Sequence, residues 1–352
     1  IVIARQRAGQ VSCCVAHDSL RYVPFERGAM SPPILYISRL LPDPVMAAAR
    51  QQFQLFNEPR DIAPSWETFK AGLREADAAI CTLTDRVDTA LLAEPTRLKI
   101  LANYAVGYNN IDLAAATAKG IVVTNTPDVL TDSTADLTWA LILAVARRVA
   151  EGDAYVRAGA WPGWAPTQML GTDVSGKVLG IVGMGRIGQA VAKRAAGFNM
   201  RICYSSRTPH APGQGSSQWE QRALPDLLRE ADFVTLHVPL SPETHHLIGR
   251  RQLALMKPTA FLINTSRGPV VDEGALVDAL LRRRLAGAGL DVFEQEPVFH
   301  PSLRDLRQVV LLPHLGSATL ATRVRMGMIC LENVAAVCAG RPAPNQVNRT
   351  QA

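Results

Sequence analysis

The chain has 352 residues, 48% of them apolar and 19% charged, with a net charge of +6, a balance that belongs to a soluble globular protein of two domains. The positive excess comes mainly from arginine and forms no basic run interleaved with aromatics, which argues against nucleic-acid binding and suits small anionic ligands. The longest apolar stretch, Leu137 to Ala146, stops at Arg147 and Arg148, well short of the roughly 20 residues a membrane helix needs, so it reads as a buried helix.

Residues 1–29 begin with Ile1 and show neither a clean apolar signal core nor a periodic pattern. They are set aside as an extension that bears no fold, with Met30 read as the start and a targeting role as the less favoured reading. From there a strand (Ile34 to Ser38), a helical segment (Val45 to Phe53), a helix then strand across Phe69 to Leu83 and another across Ile111 to Val123 follow one another. That alternation predicts a parallel sheet. The segment Asp128 to Arg148 reads as a helix joining two domains, with Asp132 or Ser133 as its cap.

A stronger series follows at Val178–Gly183, Arg201–Ser206, Phe233–Val238, Ala260–Thr265, Gly289–Phe293 and Val309–Leu312. Six apolar strands with crossovers predict a doubly wound sheet. A last helix, from about Ala318 to Ala339, has no place in that sheet except its edge and is expected to return to the first domain. The expected α/β architecture is therefore two doubly wound parallel-sheet domains. One is a Rossmann dinucleotide-binding domain at residues 129–314. The other is a discontinuous, flavodoxin-like substrate domain of residues 30–128 plus 315–347. Six cysteines (Cys13, Cys14, Cys81, Cys203, Cys330, Cys338) lack metal-ligand spacing, so reduced thiols in a cytosolic protein, with neither zinc site nor disulfide frame, are the expectation.

Gly183-Met184-Gly185-Arg186-Ile187-Gly188 follows one predicted strand and opens a helix. In that setting the first glycine permits the tight turn, the second lets backbone reach a pyrophosphate, and the third lets helix and strand touch. The next strand ends in Ser205-Ser206-Arg207-Thr208 where an acidic residue would bind a ribose 2′-hydroxyl, and no Asp or Glu occurs between Asp173 and Glu220. Ser206, Arg207 and Thr208 offer donors to a 2′-phosphate, which favours NADP(H). Arg207 could also stack on adenine, which keeps NAD(H) as the alternative.

Three further segments lie at strand ends: Asn264 to Gly268, Asp291 to Pro297, and Leu312 to Gly316. In an open α/β sheet such ends share one crevice. Reduction of a keto acid leaves an alkoxide that needs a proton, and His314 is the candidate donor. A carboxylate beside an imidazole favours its charged form and fixes its orientation, a task Glu296 could perform. A guanidinium pairs with a substrate carboxylate and polarises the carbonyl, which suits Arg267. Taken singly, each could be structural or solvated; three at successive strand ends beside a nucleotide motif point to one site.

On these segments the chain resembles the D-isomer-specific 2-hydroxyacid dehydrogenase family, and within it the glyoxylate and hydroxypyruvate reductase branch, from about Ile34 to Val347. The resemblance implies that Arg267, Glu296 and His314 are the catalytic trio, and that backbone of the loop Val106 to Asp112, at Val106 and Gly107, holds the substrate carboxylate. It places cofactor contacts on Gly183 to Gly188, Ser206, Arg207, Thr208, Thr265, Ser266, Asp291, Leu315 and Gly316. Asp291 is the usual carboxamide contact unless it caps backbone. The implied enzyme is an NADP(H)-preferring, cytoplasmic, homodimeric reductase of small 2-keto acids (EC 1.1.1.-), with no metal. Trp139 either reaches a partner subunit's site or is an ordinary core or interface residue. Glu296 argues against the formate dehydrogenase branch, and the chain ends soon after its last predicted helix, without the regulatory tail of many phosphoglycerate dehydrogenases. Two rivals stand beside this reading. One is another D-2-hydroxyacid dehydrogenase, acting on phosphoglycerate, lactate or an aryl-pyruvate. The other is a nucleotide-sensing, corepressor-like interaction protein, which the lack of a long disordered tail makes less favoured.

Overall fold

The computed structural model describes residues 31–208 and 219–348; the extension at residues 1–29 lies outside them. Strand β1 (Ile34–Ile37) leads into helix α1 (Asp43–Gln52), which carries Asp43 in its first turn and Arg50 in its last, the order that suits the helix dipole. Strand β2 (Gln54–Leu55), helix α2 (Trp66–Glu75), strand β3 (Ala78–Cys81), helix α3 (Thr89–Ala93), strand β4 (Ile100–Asn103), helix α4 (Leu113–Ala118) and strand β5 (Val122–Thr124) follow. Side chains start three of these helices, with Ser65, Asp88 and Asp112 accepting from the amides of Thr68, Leu91 and Ala115. The five strands are parallel in the order β2-β1-β3-β4-β5, a flavodoxin-like winding.

Two of these strands escape a sequence reading. Strand β2 has only two residues, and β4 is a four-residue run as fully buried as β3, with nothing in its pattern that explains why it is missed.

Helices α5 (Thr131–Ala146) and α6 (Val149–Arg157) join the two sheets. The expected cap at Asp132 or Ser133 is not there. The cap position is Leu130, which makes no side-chain cap; Ser133 Oγ donates to the Leu130 carbonyl, and Asp132 pairs with Arg194 on a neighbouring helix.

Among the described residues the second sheet has seven strands, one more than predicted. They are β6 (Val178–Val182), β7 (Arg201–Ser205), β8 (Trp219–Gln221), β9 (Phe233–Leu236), β10 (Phe261–Asn264), β11 (Gly287–Leu290) and β12 (Val309–Leu311), all parallel in the order β12-β11-β10-β9-β6-β7-β8. Helices α7 (Arg186–Ala195), α8 (Leu224–Glu230), α9 (Arg250–Leu253) and α10 (Glu273–Leu281) are their crossovers. Strand β11 starts two residues before the expected Gly289 and ends at Leu290 rather than Phe293. Its Gly-Ala-Gly opening reads poorly as strand, yet packing demands the first glycine and favours the second. A Cβ on Gly287 would lie 2.4 Å from the Gln308 carbonyl oxygen, and one on Gly289 would lie 3.1 Å from the Leu141 Cβ of α5.

The last helix, α11 (Leu320–Cys338), packs on the first sheet and on α1. Its Cys330, Leu331 and Val334 share one core with Leu35, Ile37, Val45, Ile80 and Ile100. Gly327 admits the contact, since a Cβ there would meet the Val45 side chain at 2.6 Å. Among the described residues no helix is long and apolar enough to cross a membrane.

Candidate functional site

The winding of the second sheet reverses between β6 and β9, the crevice where open α/β sheets receive ligands. The glycine turn lies there. Gly183 has φ +99°, open to glycine alone, and a Cβ on it would strike the His237 carbonyl oxygen at 2.6 Å. Gly188 lies against the Gly183 carbonyl, at 2.2 Å for its own would-be Cβ, so the third glycine seats α7 on the turn. A Cβ on Gly185 would meet nothing within 4 Å, and Gly185 stands at the N-cap of α7 with no side chain capping the helix. The first amides of α7 therefore open onto a cradle without side chains, which fits a pyrophosphate. Met184 is buried beneath the turn, its carbonyl accepting from Gln189, while Arg186 reaches out to Asp128 at 2.5 Å and Ile187 packs on the core.

At the end of β7, Ser206 is half-buried and Arg207 and Thr208 are exposed. The Ser205 carbonyl accepts the Gly183 amide, which holds this strand end beside the turn. One acidic group that a linear reading does not place also faces here. The Glu243 carboxyl is held below its usual range chiefly by the Ser241 hydroxyl, with Arg207 contributing.

The three strand-end segments meet in one place. His314 Nδ1 lies 2.8 Å from Glu296 Oε2, and Glu296 Oε1 accepts the Phe293 amide at 3.1 Å. Burial pushes the Glu296 carboxyl up, but the hydrogen bond and charge of His314, the Phe293 amide and Arg267 outweigh it, and the net shift is downward. Glu296 is thus kept as a carboxylate. His314 itself has φ +56°, a left-handed conformation that costs a non-glycine residue about 1–2 kcal/mol. Asp291 holds the turn in that shape. Its carbonyl accepts the His314 amide at 2.9 Å, and its carboxylate oxygens accept the Leu315 and Gly316 amides at 2.6 and 2.9 Å. Burial nonetheless raises the Asp291 carboxyl. The Gly316 carbonyl in turn accepts from Thr134, so both backbone groups of Gly316 are engaged within the protein.

Arg267 approaches from the end of β10. Its Nε donates to Asn109 Oδ1 at 3.2 Å and its Nη1 to the Ser266 carbonyl at 2.8 Å. Its guanidinium also covers Gly107, whose would-be Cβ falls 2.1 Å from Nη2. Burial lowers the Arg267 pKa, opposed by the charge of Glu296, so the guanidinium and the Glu296–His314 pair share one electrostatic neighbourhood. The carbonyls of Val106 and Gly107 accept from Asn125 and Asn103 at 2.8 Å each, which leaves the two amides as the groups this loop offers.

Two asparagines missed by motif reading build these segments. Asn264 takes the Ser266 amide and hydroxyl on its oxygen and donates to the Arg267 carbonyl; Asn103 anchors the Gly107 carbonyl and also contacts Asn110. Thr265 is tied to Thr138 of α5 at 2.9 Å. Of the two readings of Trp139, the core one holds. It is 5% exposed, stacks on Phe198 at 4.6 Å and donates to the Val191 carbonyl, so it is packed within this chain's own core. A cavity of about 390 Å³ opens at the opposite ends of the strands, lined by Ala146, Leu170, Phe261 and Arg307, and none of the trio borders it.

A family model described as the NAD-binding domain of the D-isomer specific 2-hydroxyacid dehydrogenases matches residues 139–316. The chain is 49% identical to a glyoxylate reductase of Thermococcus litoralis, over 90% of this chain and 97% of that protein. The crystal structure of a Thermus thermophilus protein superposes with a TM-score of 0.84 at 46% identity, covering 89% of this chain and 99% of that one. An NADPH-dependent glyoxylate/hydroxypyruvate reductase of Sinorhizobium meliloti, solved with NADP and malonate, superposes with a TM-score of 0.80 at 32% identity, covering 92% and 100%.

Proposed function

The chain belongs to the D-isomer specific 2-hydroxyacid dehydrogenase family and is an NAD(P)-dependent oxidoreductase, and from that premise we propose that it reduces glyoxylate and hydroxypyruvate to their 2-hydroxy acids, preferring NADPH. The observation that carries this reading is the His314–Glu296 pair, set in one electrostatic neighbourhood with a guanidinium that lies on the Gly107 loop. The likeness to named glyoxylate reductases supports the substrate class, and Arg207 at the end of β7 supports the 2′-phosphate.

The open N-terminus of α7 and the Gly185 cradle would hold the pyrophosphate, with Ser206, Arg207 and Thr208 at the adenosine end and Thr265 and Ser266 toward the nicotinamide, while Asp291, which caps the Leu315 and Gly316 amides, shapes that end of the crevice. When bound, the reduced nicotinamide supplies the hydride. Arg267 and the amides of Val106 and Gly107 grip the substrate carboxylate and orient the carbonyl. Glu296 engages His314 Nδ1, so Nε2 presents the proton to the developing alkoxide. Closing the crevice excludes water and strengthens both charge contacts. The decisive experiment is oxidation of NADPH and NADH followed with each keto acid. Turnover of glyoxylate with NADPH ahead of NADH is expected; no turnover of either acid would overturn the reading in favour of a sensing role.

The enzyme is further proposed to work as a homodimer in the cytoplasm. Val149, Val156, Trp161, Trp164 and Leu170 are exposed apolar residues of one stretch, Trp164 at 82%, and a second copy of this chain is the occupant proposed for it. Sedimentation checks this, a monomer at micromolar concentration being the contrary result. Cys81, Cys203 and Cys330 are buried free thiols, which suits a reducing compartment.

A further inference from the structure

We propose a second site, for a divalent transition-metal ion such as zinc, formed by His245, His246 and Glu294 on the flank of the crevice. One ligand atom from each of these three residues lies within 4.8 Å of the other two. Two imidazoles and a carboxylate are a donor set that zinc takes with a fourth position left to water. Cysteine spacing gives no sign of such a site, because the carboxylate lies 48 residues beyond the nearer histidine and meets it only through the fold.

The three residues are placed rather than loosely exposed. His246 has φ +51°, a left-handed conformation rare outside glycine, and its amide donates to the Pro269 carbonyl at 2.8 Å. That shape turns its ring beside the ring of His245, with centroids 4.0 Å apart. His246 Nε2 lies 2.7 Å from Glu294 Oε1. The other carboxylate oxygen, Oε2, accepts the Glu273 amide at 3.2 Å, and the Glu294 amide in turn donates to the Glu273 carboxylate at 3.1 Å. Glu294 is therefore held by backbone on one side, with Oε1 directed at the histidines. Outer partners of this kind orient metal-binding carboxylates.

The adjustment needed is small. At metal–ligand distances of about 2.0–2.2 Å, tetrahedral ligands stand roughly 3.4 Å apart. The His246–Glu294 contact must open slightly, and the exposed His245 must swing inward by about an ångström, a rotation its surface position allows. A bound ion would tie the loop after β9 to the segment after β11 that also carries Glu296. This site does not depend on the reductase reading.

The test is calorimetric titration of the tag-free full chain with zinc chloride, beside His245→Ala, Glu294→Gln and His314→Ala. One zinc per chain is expected, with affinity lowered about tenfold or more by each of the first two substitutions, as for loss of one ligand or its support, and kept in the third. Magnesium should give no heat, since imidazole is a poor ligand for it. Absence of zinc binding, or binding abolished by His314→Ala and unchanged by His245→Ala, would overturn the proposal. His245→Ala lies outside the reductase machinery, so its turnover reports that the variant is folded.

Discussion

Gly107 and Arg267 come from different sheets and touch, with a Cβ built on the glycine falling 2.1 Å from Arg267 Nη2. The guanidinium rests where a side chain would otherwise stand, so the loop that offers amides and the arginine that offers charge form one surface. Gly107 has no left-handed φ, so alanine there tests this contact and not backbone strain. Gly107→Ala should raise the KM for the keto acid about ten- to a hundredfold, the range for losing a charged hydrogen bond, with NADPH binding kept. An unchanged KM would remove this contact from substrate recognition.

For His314→Ala, kcat should fall by roughly 10²–10⁴, the usual contribution of a positioned general acid. NADPH affinity, read from fluorescence quenching, should be retained because the ring pairs with Glu296 and not with the glycine turn. Near-normal turnover would take the proton step away from His314.

Arg207 tests the choice of nucleotide. Arg207→Ala should weaken NADPH about tenfold or more while leaving NADH almost unaffected, since a charge-assisted contact to phosphate is lost from one nucleotide only. The nearby Glu243 carboxylate draws on the same guanidinium, so Glu243→Gln should strengthen NADPH modestly. Equal losses for both nucleotides in the Arg207 variant would show that no 2′-phosphate is read there.

His237 gives a pH dependence of stability. Burial pushes its imidazole down to about 3, and neither ring nitrogen has a hydrogen-bond partner. The unfolded chain takes up that proton near pH 6.5. Between these values the unfolded state binds more protons, so stability is lost as pH falls through the window, at up to about 1.4 kcal/mol per pH unit. His237→Leu removes both the titration and the two unpaired nitrogens. Its melting temperature should therefore fall less than that of the parent between pH 7 and pH 5; parallel curves would contradict a buried neutral imidazole.

The sequence makes the chemistry-bearing ends of the strands easy to see and their supports hard to see. Gly183 to Gly188, Arg267, Glu296 and His314 stand in short runs whose spacing reflects a turn or a strand terminus, and such runs survive in one dimension. Asn264 and Asn103 act through bonds to backbone that form only once the loops are folded. The encounter of Glu243 with Arg207, and of His246 with Glu294, likewise depends on strand order. Strand β2 is hidden by its two-residue length, and the start of β11 reads two residues late because packing against α5 and the Gln308 carbonyl selects glycine over the residues strands prefer. Trp139 shows the converse: an aromatic residue in a linking helix does not reveal which side of that helix is covered.

The chain leaves the first sheet between β5 and α5 and comes back to it between β12 and α11, just beyond His314. Two chain crossings instead of one tie the halves together, a linkage that opposes swivelling more than rocking about the line through both. Arg267, Glu296 and His314 all ride on the same half, whereas Gly107 rides on the other. A rocking of one half on the other would leave the His314–Glu296 pair intact, since both ride together, and would bear on the contact of the guanidinium with the Gly107 loop.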